Sequence, residues 1–207
     1  MLIFDIGANK GLFTDECLNN YPNCSIVLVE PNKKLYDFLC EKYKNKSNVF
    51  IVGKVVSDKG STEIDFYISN ADTISTSSIN WVKNSRFTGQ YHWDDPIKIQ
   101  TITIDELINQ YGKPNLIKID VEGFEYEVLC GLTTKVDEIC FEWAEETFSN
   151  TLKCINLLEN LDYTSFGYIY TDSYLVRPNH YSNWNSCDLN HLINENSKNL
   201  WGTIWVK

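Results

Sequence analysis

Ile3–Thr14, IFDIGANKGLFT, is the stretch on which the fold turns. Apolar Leu2, Ile3, Phe4 and Ile6 enclose a single acid, Asp5. A small-residue turn follows, Gly7-Ala8-Asn9-Lys10-Gly11, and LFTDECL then reads as a helix. A strand, a glycine turn and a helix N-terminus together offer free backbone N–H groups to an anionic or nucleotide-like ligand. A dinucleotide fingerprint would run G-x-G-x-x-G, with its acid on the next strand. Here the pattern is D-x-G-A-N-x-G, and the acid already stands at the end of the first strand. An acid facing the turn repels phosphate and suits a ligand with a positive ammonium group.

Working outward, Leu12–Tyr21 reads as a helix ended by Pro22, and Ser25–Val29 as a short β-branched strand running into Glu30-Pro31-Asn32. Leu35, Phe38 and Leu39 give Lys34–Tyr43 a helical apolar period. Val49–Val56 is a third strand, closed by Ser57-Asp58-Lys59-Gly60. This alternation predicts an α/β fold with a doubly wound parallel sheet and a ligand at the carboxyl ends of its strands. Regularity then breaks. Thr62–Ile68 and Ile97–Ile104 read as strands around a polar stretch, Ser69–Trp93, too long for an ordinary connection. Residues of about 62–104 are therefore expected to be a substrate-recognition insertion between the third and fourth core strands. Asp105–Tyr111 is a short helix, Asn115–Asp120 the fourth core strand, Glu125–Leu132 a helix and Glu138–Trp143 a fifth strand. Thr151–Leu161 is a helix, and Tyr163–Tyr170 with Leu200–Val206 read as an antiparallel pair at the sheet edge. Thr171–Lys198, with His180 and Trp184, is irregular before a short helix. Without repeats or a linker, residues 1–207 read as a single domain.

Composition narrows the function. With 43% hydrophobic and 22% charged residues in 207, the chain can bury a core. A net charge of −10 argues against nucleic acid as a partner, which needs a basic face. Seven scattered cysteines (Cys17, Cys24, Cys40, Cys130, Cys140, Cys154 and Cys187) lack C-x-x-C spacing, so they are expected to be reduced thiols without zinc, and no metal is expected, the alternative being a divalent ion on Asp120 and Glu122. No apolar run is long enough to span a membrane. The N-terminus opens on a core strand, which argues against a cleaved targeting peptide, and the expectation is a cytoplasmic protein. Oligomeric state is not legible.

Side by side, the strand ends carry Asp5/Gly7, Glu30, Ser57/Asp58, Asp120/Glu122 and Glu142. Acids gathered at one sheet edge are costly unless a ligand, water or metal satisfies them. Glu30, just after the second strand, suits both ribose hydroxyls of a nucleoside. Ser57 and Asp58 stand where an adenine amino group would be met, although SDKG is also a good turn sequence. Together these describe adenosine with a cationic, non-phosphate tail, and S-adenosylmethionine fits as cofactor. Asp5, Gly7, Ala8, Asn9, Gly11, Phe13, Thr14, Glu30, Pro31, Asn32, Ser57, Asp58 and Asp120 are the candidate cofactor contacts. Asp120 and Glu122 are the candidate catalytic pair: their i, i+2 spacing turns both the same way if the strand persists. Glu122 could instead cap the next helix. Lys118 shares their face and is a neighbour able to neutralise Asp5 or Asp120. His92, between Tyr91 and Trp93, is a candidate base for a hydroxyl, against the alternative of an exposed loop histidine. Trp81, Phe87, Tyr91 and Trp93 could stack on a sugar or pack the loop, and Glu142 could line the acceptor pocket.

The segments FDIGANKGLFT, VEPN, VVSDKG, TITIDEL and LIKIDVEGFEYEVLCGL, in this order over about residues 3–143, resemble the FkbM-type family of class I S-adenosylmethionine-dependent methyltransferases. IDVEGFE is the more specific element; the glycine turn is shared more widely. The resemblance implies a Rossmann-like, seven-stranded, mostly parallel sheet with an antiparallel last strand. It also implies O-methylation of a small molecule, a sugar, nucleotide-sugar or glycoside. The alternatives are a non-catalytic S-adenosylmethionine-binding subunit and an RNA ribose or cap methyltransferase. A nucleotide-binding oxidoreductase is opposed by Asp5 and the short glycine spacing.

Overall fold

The computed structural model describes residues 1–170, 177–182 and 200–207. The elements that position the site run β1 (Leu2–Ile6), α1 (Leu12–Asn20), β2 (Ser25–Val29), α2 (Lys33–Lys42) and β3 (Val49–Val52). There follow β4 (Val55–Val56), β5 (Glu63–Phe66), α3 (Ile79–Asn84), β6 (Ile97–Ile102) and α4 (Ile104–Tyr111). β7 (Leu116–Ile119), α5 (Glu125–Cys130), β8 (Glu138–Ala144), α6 (Phe148–Asn160), β9 (Phe166–Ile169) and β10 (Trp201–Val206) complete them.

Seven strands form one sheet in the order β3-β2-β1-β7-β8-β10-β9. The first five in that order pair in parallel, and β10 runs antiparallel to both β8 and β9. The chain leaves β1 toward β2 and β3 and later returns to its other side at β7. The carboxyl ends of β1 and β7 therefore form the switch point where such sheets bind ligands. Both faces are covered, which is why these strands are almost wholly apolar. Phe4, Ile6, Val27, Ile117 and Phe141 pack on one face with Leu107, Val128 and Ile155 of the later helices. Ile3, Ile26, Leu28 and Leu116 pack on the other with Cys17, Leu39 and Tyr43 of α1 and α2. The alternation follows the two-residue period of a strand.

Several boundaries differ from the sequence reading. The run Val49–Val56 is two strands, not one. It breaks at Gly53-Lys54, where a Cβ on Gly53 would lie 3.0 Å from the Tyr36 ring. β4 then leaves the main sheet to pair in parallel with β6, which is antiparallel to β5. The strands expected at the two ends of the segment 62–104 are β5 and β6, and with β4 they form a three-stranded sheet, β4-β6-β5, that anchors the segment. Helix α4 begins at Ile104 because Thr103 and Glu106 close a reciprocal capping box. The last two strands form the expected antiparallel pair at the sheet edge, with β9 outermost and β10 between it and β8. Trp184, Cys187 and the short helix expected before Lys198 lie outside the described residues. The six described cysteines are free. Among the described residues no helix is long and apolar enough to cross a membrane.

Candidate active site

The glycine turn closes on itself. Gly7 and Ala8 both donate their N–H to Val29 O, at 3.0 and 3.1 Å. Asn9 donates its backbone N–H to Glu30 Oε2 at 2.8 Å, Lys10 to Asn9 Oδ1 at 2.8 Å, and Gly11 to Ala8 O at 2.8 Å. This corrects the expectation of free N–H groups for the turn itself: from Gly7 to Gly11 every backbone donor has an acceptor inside the protein. The turn is no phosphate cradle. Gly7, Asn9 and Gly11 hold φ of 76°, 49° and 74°, the left-handed region.

Asp5 lies beneath this turn and does not line the cavity, so it does not face a ligand's ammonium group as the sequence suggested. It is fully buried, accepts from Thr14 Oγ1 at 2.8 Å and ion-pairs with Lys118 at 3.3 Å. Lys118 stands opposite Asp5 in the strand register, and its ammonium also reaches Gly7 O at 2.7 Å and Asp120 Oδ2 at 3.4 Å. Burial alone would depress the Lys118 pKa, but Asp120 and Asp5 outweigh it and raise it. The lysine therefore stays charged and ties the ends of β1 and β7 together.

Above them a cavity of about 590 Å³ opens at the carboxyl edge of the sheet. Of the sequence candidates, Gly7, Ala8, Asn9, Phe13, Glu30, Pro31, Asp120, Glu122 and Glu142 line it. Glu30 is only 5% exposed, and its two oxygens accept from the N–H groups of Asn9 and Asn32. Burial pushes its pKa up to about 7, against the opposing pull of those donors and of Lys118. Gly11, Thr14 and Asn32 support the wall from behind: Asn32 caps α2 by accepting from Lys34 N. Ser57 and Asp58 are not in the lining; Lys54 and the two residues of β4, Val55 and Val56, line it instead, and Ser57 N–H donates to Ile102 O of β6.

Asp120, Glu122 and Glu142 bring carboxylate oxygens within 4.8 Å of one another. The predicted reason for the first two was wrong. β7 ends at Ile119, and Glu122 turns into the cavity because its backbone is left-handed, φ 58°, before Gly123 at φ 81°. This turn is held from both sides. Thr76 Oγ1 donates to Glu122 O at 2.8 Å, while Glu125, rather than Glu122, accepts from the N–H groups of Val121 and Gly123, both at 3.2 Å. Burial, then the neighbouring Asp120 and Glu125, raise the Glu122 pKa well above the ordinary carboxylate range. Burial, then Glu122 and Asp120, do the same to Glu142. The geometry of the three acids could also hold a cation.

The segment 62–104 roofs the cavity. A single 3₁₀ turn, Asp72–Ile74, is pinned to the glycine turn by Asn9 Nδ2 donating to Asp72 O at 3.0 Å and by a Lys10–Asp72 ion pair at 2.9 Å. Trp93 props it by donating to Ile74 O at 2.9 Å. Trp81 is buried and meets Phe87 edge-on at 6.0 Å, and both line the cavity. His92 does not: its side chain is 76% exposed, facing Asp94 at 3.6 Å, outside the cavity. Sequence reasoning missed Trp201, at the start of β10, and the pairing of Arg86 with Glu146, both at the wall. Neither has a local motif; only the pairing of β10 with β8 brings Trp201 there.

A model of the methyltransferase FkbM domain matches residues 5–170. The hexuronic acid methyltransferase AglP of Haloferax volcanii is 28% identical over 142 residues, 68% of this chain and 53% of that protein. The chain thus spans about half the length of this curated relative. A precorrin-6y C5,15-methyltransferase from Geobacter metallireducens superposes with a TM-score of 0.50 at 14% identity, covering 100% of this chain and 79% of the other. At that identity the likeness is one of fold.

Proposed function

The chain belongs to the FkbM-type methyltransferase family, and from that premise we propose that it transfers a methyl group from S-adenosylmethionine to a sugar hydroxyl. The observation that carries this is the closed glycine turn beside Glu30. A dinucleotide or nucleotide needs N–H donors for its phosphates, and here all five donors of the turn are used internally. A nucleoside with a zwitterionic amino-acid tail needs a carboxylate for its ribose and charges of both signs. Glu30 supplies the first, and Lys10, Glu16 and Asp72 line the cavity near the turn. Val29, Pro31, Val55 and Ile74 offer an apolar wall to a flat base. A cavity of about 590 Å³ is of the size that takes a cofactor with a small acceptor.

S-adenosylmethionine supplies a methyl group already activated by its positive sulfur. The protein's task is then positioning and removal of one proton. Asp120, fixed by Lys118 and by its N–H bond to Ile6 O at 3.1 Å, orients the reactants. Glu122 accepts the proton of the acceptor hydroxyl as the new C–O bond forms. Its raised pKa makes it a stronger base than a solvated carboxylate. The sugar class rests on the relative's named acceptor, a hexuronic acid. Transfer of labelled methyl from S-adenosylmethionine to a panel of monosaccharides and glycosides tests the reading. A sugar O-methyl ether is the expected product, and binding of the cofactor without turnover on any acceptor would favour the non-catalytic alternative.

Glu30 gives a pH signature. Hydrogen bonds from ribose hydroxyls favour its ionised form, so binding requires loss of a proton held up to about pH 7. Affinity for S-adenosylhomocysteine should therefore fall as pH drops through 7, by about tenfold per unit of pH. In Glu30→Gln binding should be weaker and its pH profile flat. Calorimetry across this range checks it; an unchanged profile in the variant would remove Glu30 from the ribose site.

A further inference from the structure

The acceptor end of the cavity has a charge that its chemistry must respect. Asp120, Glu122 and Glu142 converge there within 4.8 Å. Among the described residues, the cations of the cavity wall that could offset a bound anion are committed or remote. Arg86 lines the wall, but Glu146 holds it in a two-point pair, Nε to Oε1 at 2.6 Å and Nη2 to Oε2 at 2.7 Å. Lys118 lies below, between Asp5 and Asp120. Lys54 follows β3, and four strand spacings separate β3 from β8, which carries Glu142, or about 19 Å across the sheet. Lys10 is paired with Asp72 at the glycine turn.

An independent feature of the same end points to a carbohydrate ring. Trp201 lines the cavity and leaves 37% of its surface exposed. It sits beside Ala144 in the β8–β10 register, two residues along from Glu142. A partly exposed indole beside carboxylates suits a sugar, whose apolar C–H face can pack on an aromatic ring while its hydroxyls donate to the acids.

We propose that the acceptor is an uncharged sugar ring, and that Glu142, with Glu122, excludes rings bearing a carboxylate or phosphate. This rests on the methyltransferase reading above. A hexuronate would bring its carboxylate against this acid cluster, with no uncommitted cation of the acceptor wall among the described residues to meet it, and negative groups so juxtaposed discriminate strongly. Glu142 on this reading is a specificity-determining residue, acting on the acceptor and not on the cofactor.

The test uses matched pairs of methyl hexosides and methyl hexuronides in the gluco, galacto and manno configurations, with and without magnesium. The expected result is that, in the configuration methylated best, kcat/KM for the neutral member exceeds that for the hexuronide by about tenfold or more. Glu142→Gln should raise hexuronide use relative to the neutral sugar by several-fold while S-adenosylhomocysteine affinity holds. Glu146→Gln, which leaves Arg86 facing a neutral amide, should shift the ratio the same way through a second site. Equal or preferred use of the hexuronide, with magnesium or without it, would overturn the proposal. So would a ratio unmoved in both variants, or no methylation of any pair by protein that binds S-adenosylhomocysteine. Absence of that binding would instead strike the methyltransferase reading itself.

Discussion

Gly7→Ala should abolish S-adenosylhomocysteine binding and cost about 3 kcal/mol of stability or more. A Cβ on residue 7 would lie 1.8 Å from Asp120 O and 2.9 Å from Asp120 C, both backbone atoms that no rotamer change can move. The same residue holds φ 76°, so the alanine would be strained even in open space. Relief requires β1 and β7 to separate at their carboxyl ends. That separation would break the Asp120 N–H bond to Ile6 O and the Lys118 bond to Gly7 O, which define the floor of the cavity. For a chain of 207 residues the loss corresponds to a fall of about 10 °C in Tm. Thermal melts and calorimetry read the two effects together. A variant that melts within a degree or two of the parent and keeps its affinity would show that β1 and β7 do not meet as described.

The second large effect falls on turnover rather than on binding. Glu122→Gln should lower kcat by about 10² to 10⁴, the usual contribution of a general base, while S-adenosylhomocysteine affinity changes only a few-fold. The substitution keeps the side chain's volume and the backbone turn, and it removes only the capacity to take a proton. The turn is secured independently by Thr76 and Glu125. Asp120→Asn should behave differently. It weakens the ion pair with Lys118 at 3.4 Å and so disturbs cofactor binding as well as rate. Steady-state kinetics on the best sugar acceptor separates the two. Full activity in Glu122→Gln would transfer the base role to another group of the acid cluster.

How much of this was legible can be judged from particular residues. The β-α-β-α-β alternation was readable because the buried strands are continuous apolar runs and the helices have their own period. The position of Glu30 at the cavity wall was readable because it follows β2 directly. The roles of Asp5 and Glu122 were not. Lys118 was legible as a neighbour able to neutralise Asp5, and their ion pair at 3.3 Å bears that out, but Asp5 also looked like a ligand group, and only the pairing of β1 with β7 puts it beneath the turn. Glu122 was expected to share a strand face with Asp120. It shares the cavity through a left-handed turn that no local pattern announces, held by a hydroxyl from the segment 62–104. The place of Ser57 and Asp58 just outside the lining was not legible, because the run Val49–Val56 hid the break at Gly53-Lys54 that puts Val55 and Val56 at the wall. Trp201 belongs to a strand that meets β8 only after an intervening helix and β9, so its nearness to Glu142 is a property of topology alone.

On the proposed reading, the closed glycine turn and Glu30 build a site for S-adenosylmethionine rather than for a phosphate-bearing nucleotide. Calorimetric titration of the protein with S-adenosylhomocysteine and, in parallel, with NAD tests it most directly. Saturable heat with S-adenosylhomocysteine, lost in Glu30→Ala, and none with NAD is the result expected. Binding of NAD, or no heat with S-adenosylhomocysteine at any accessible concentration, would contradict it.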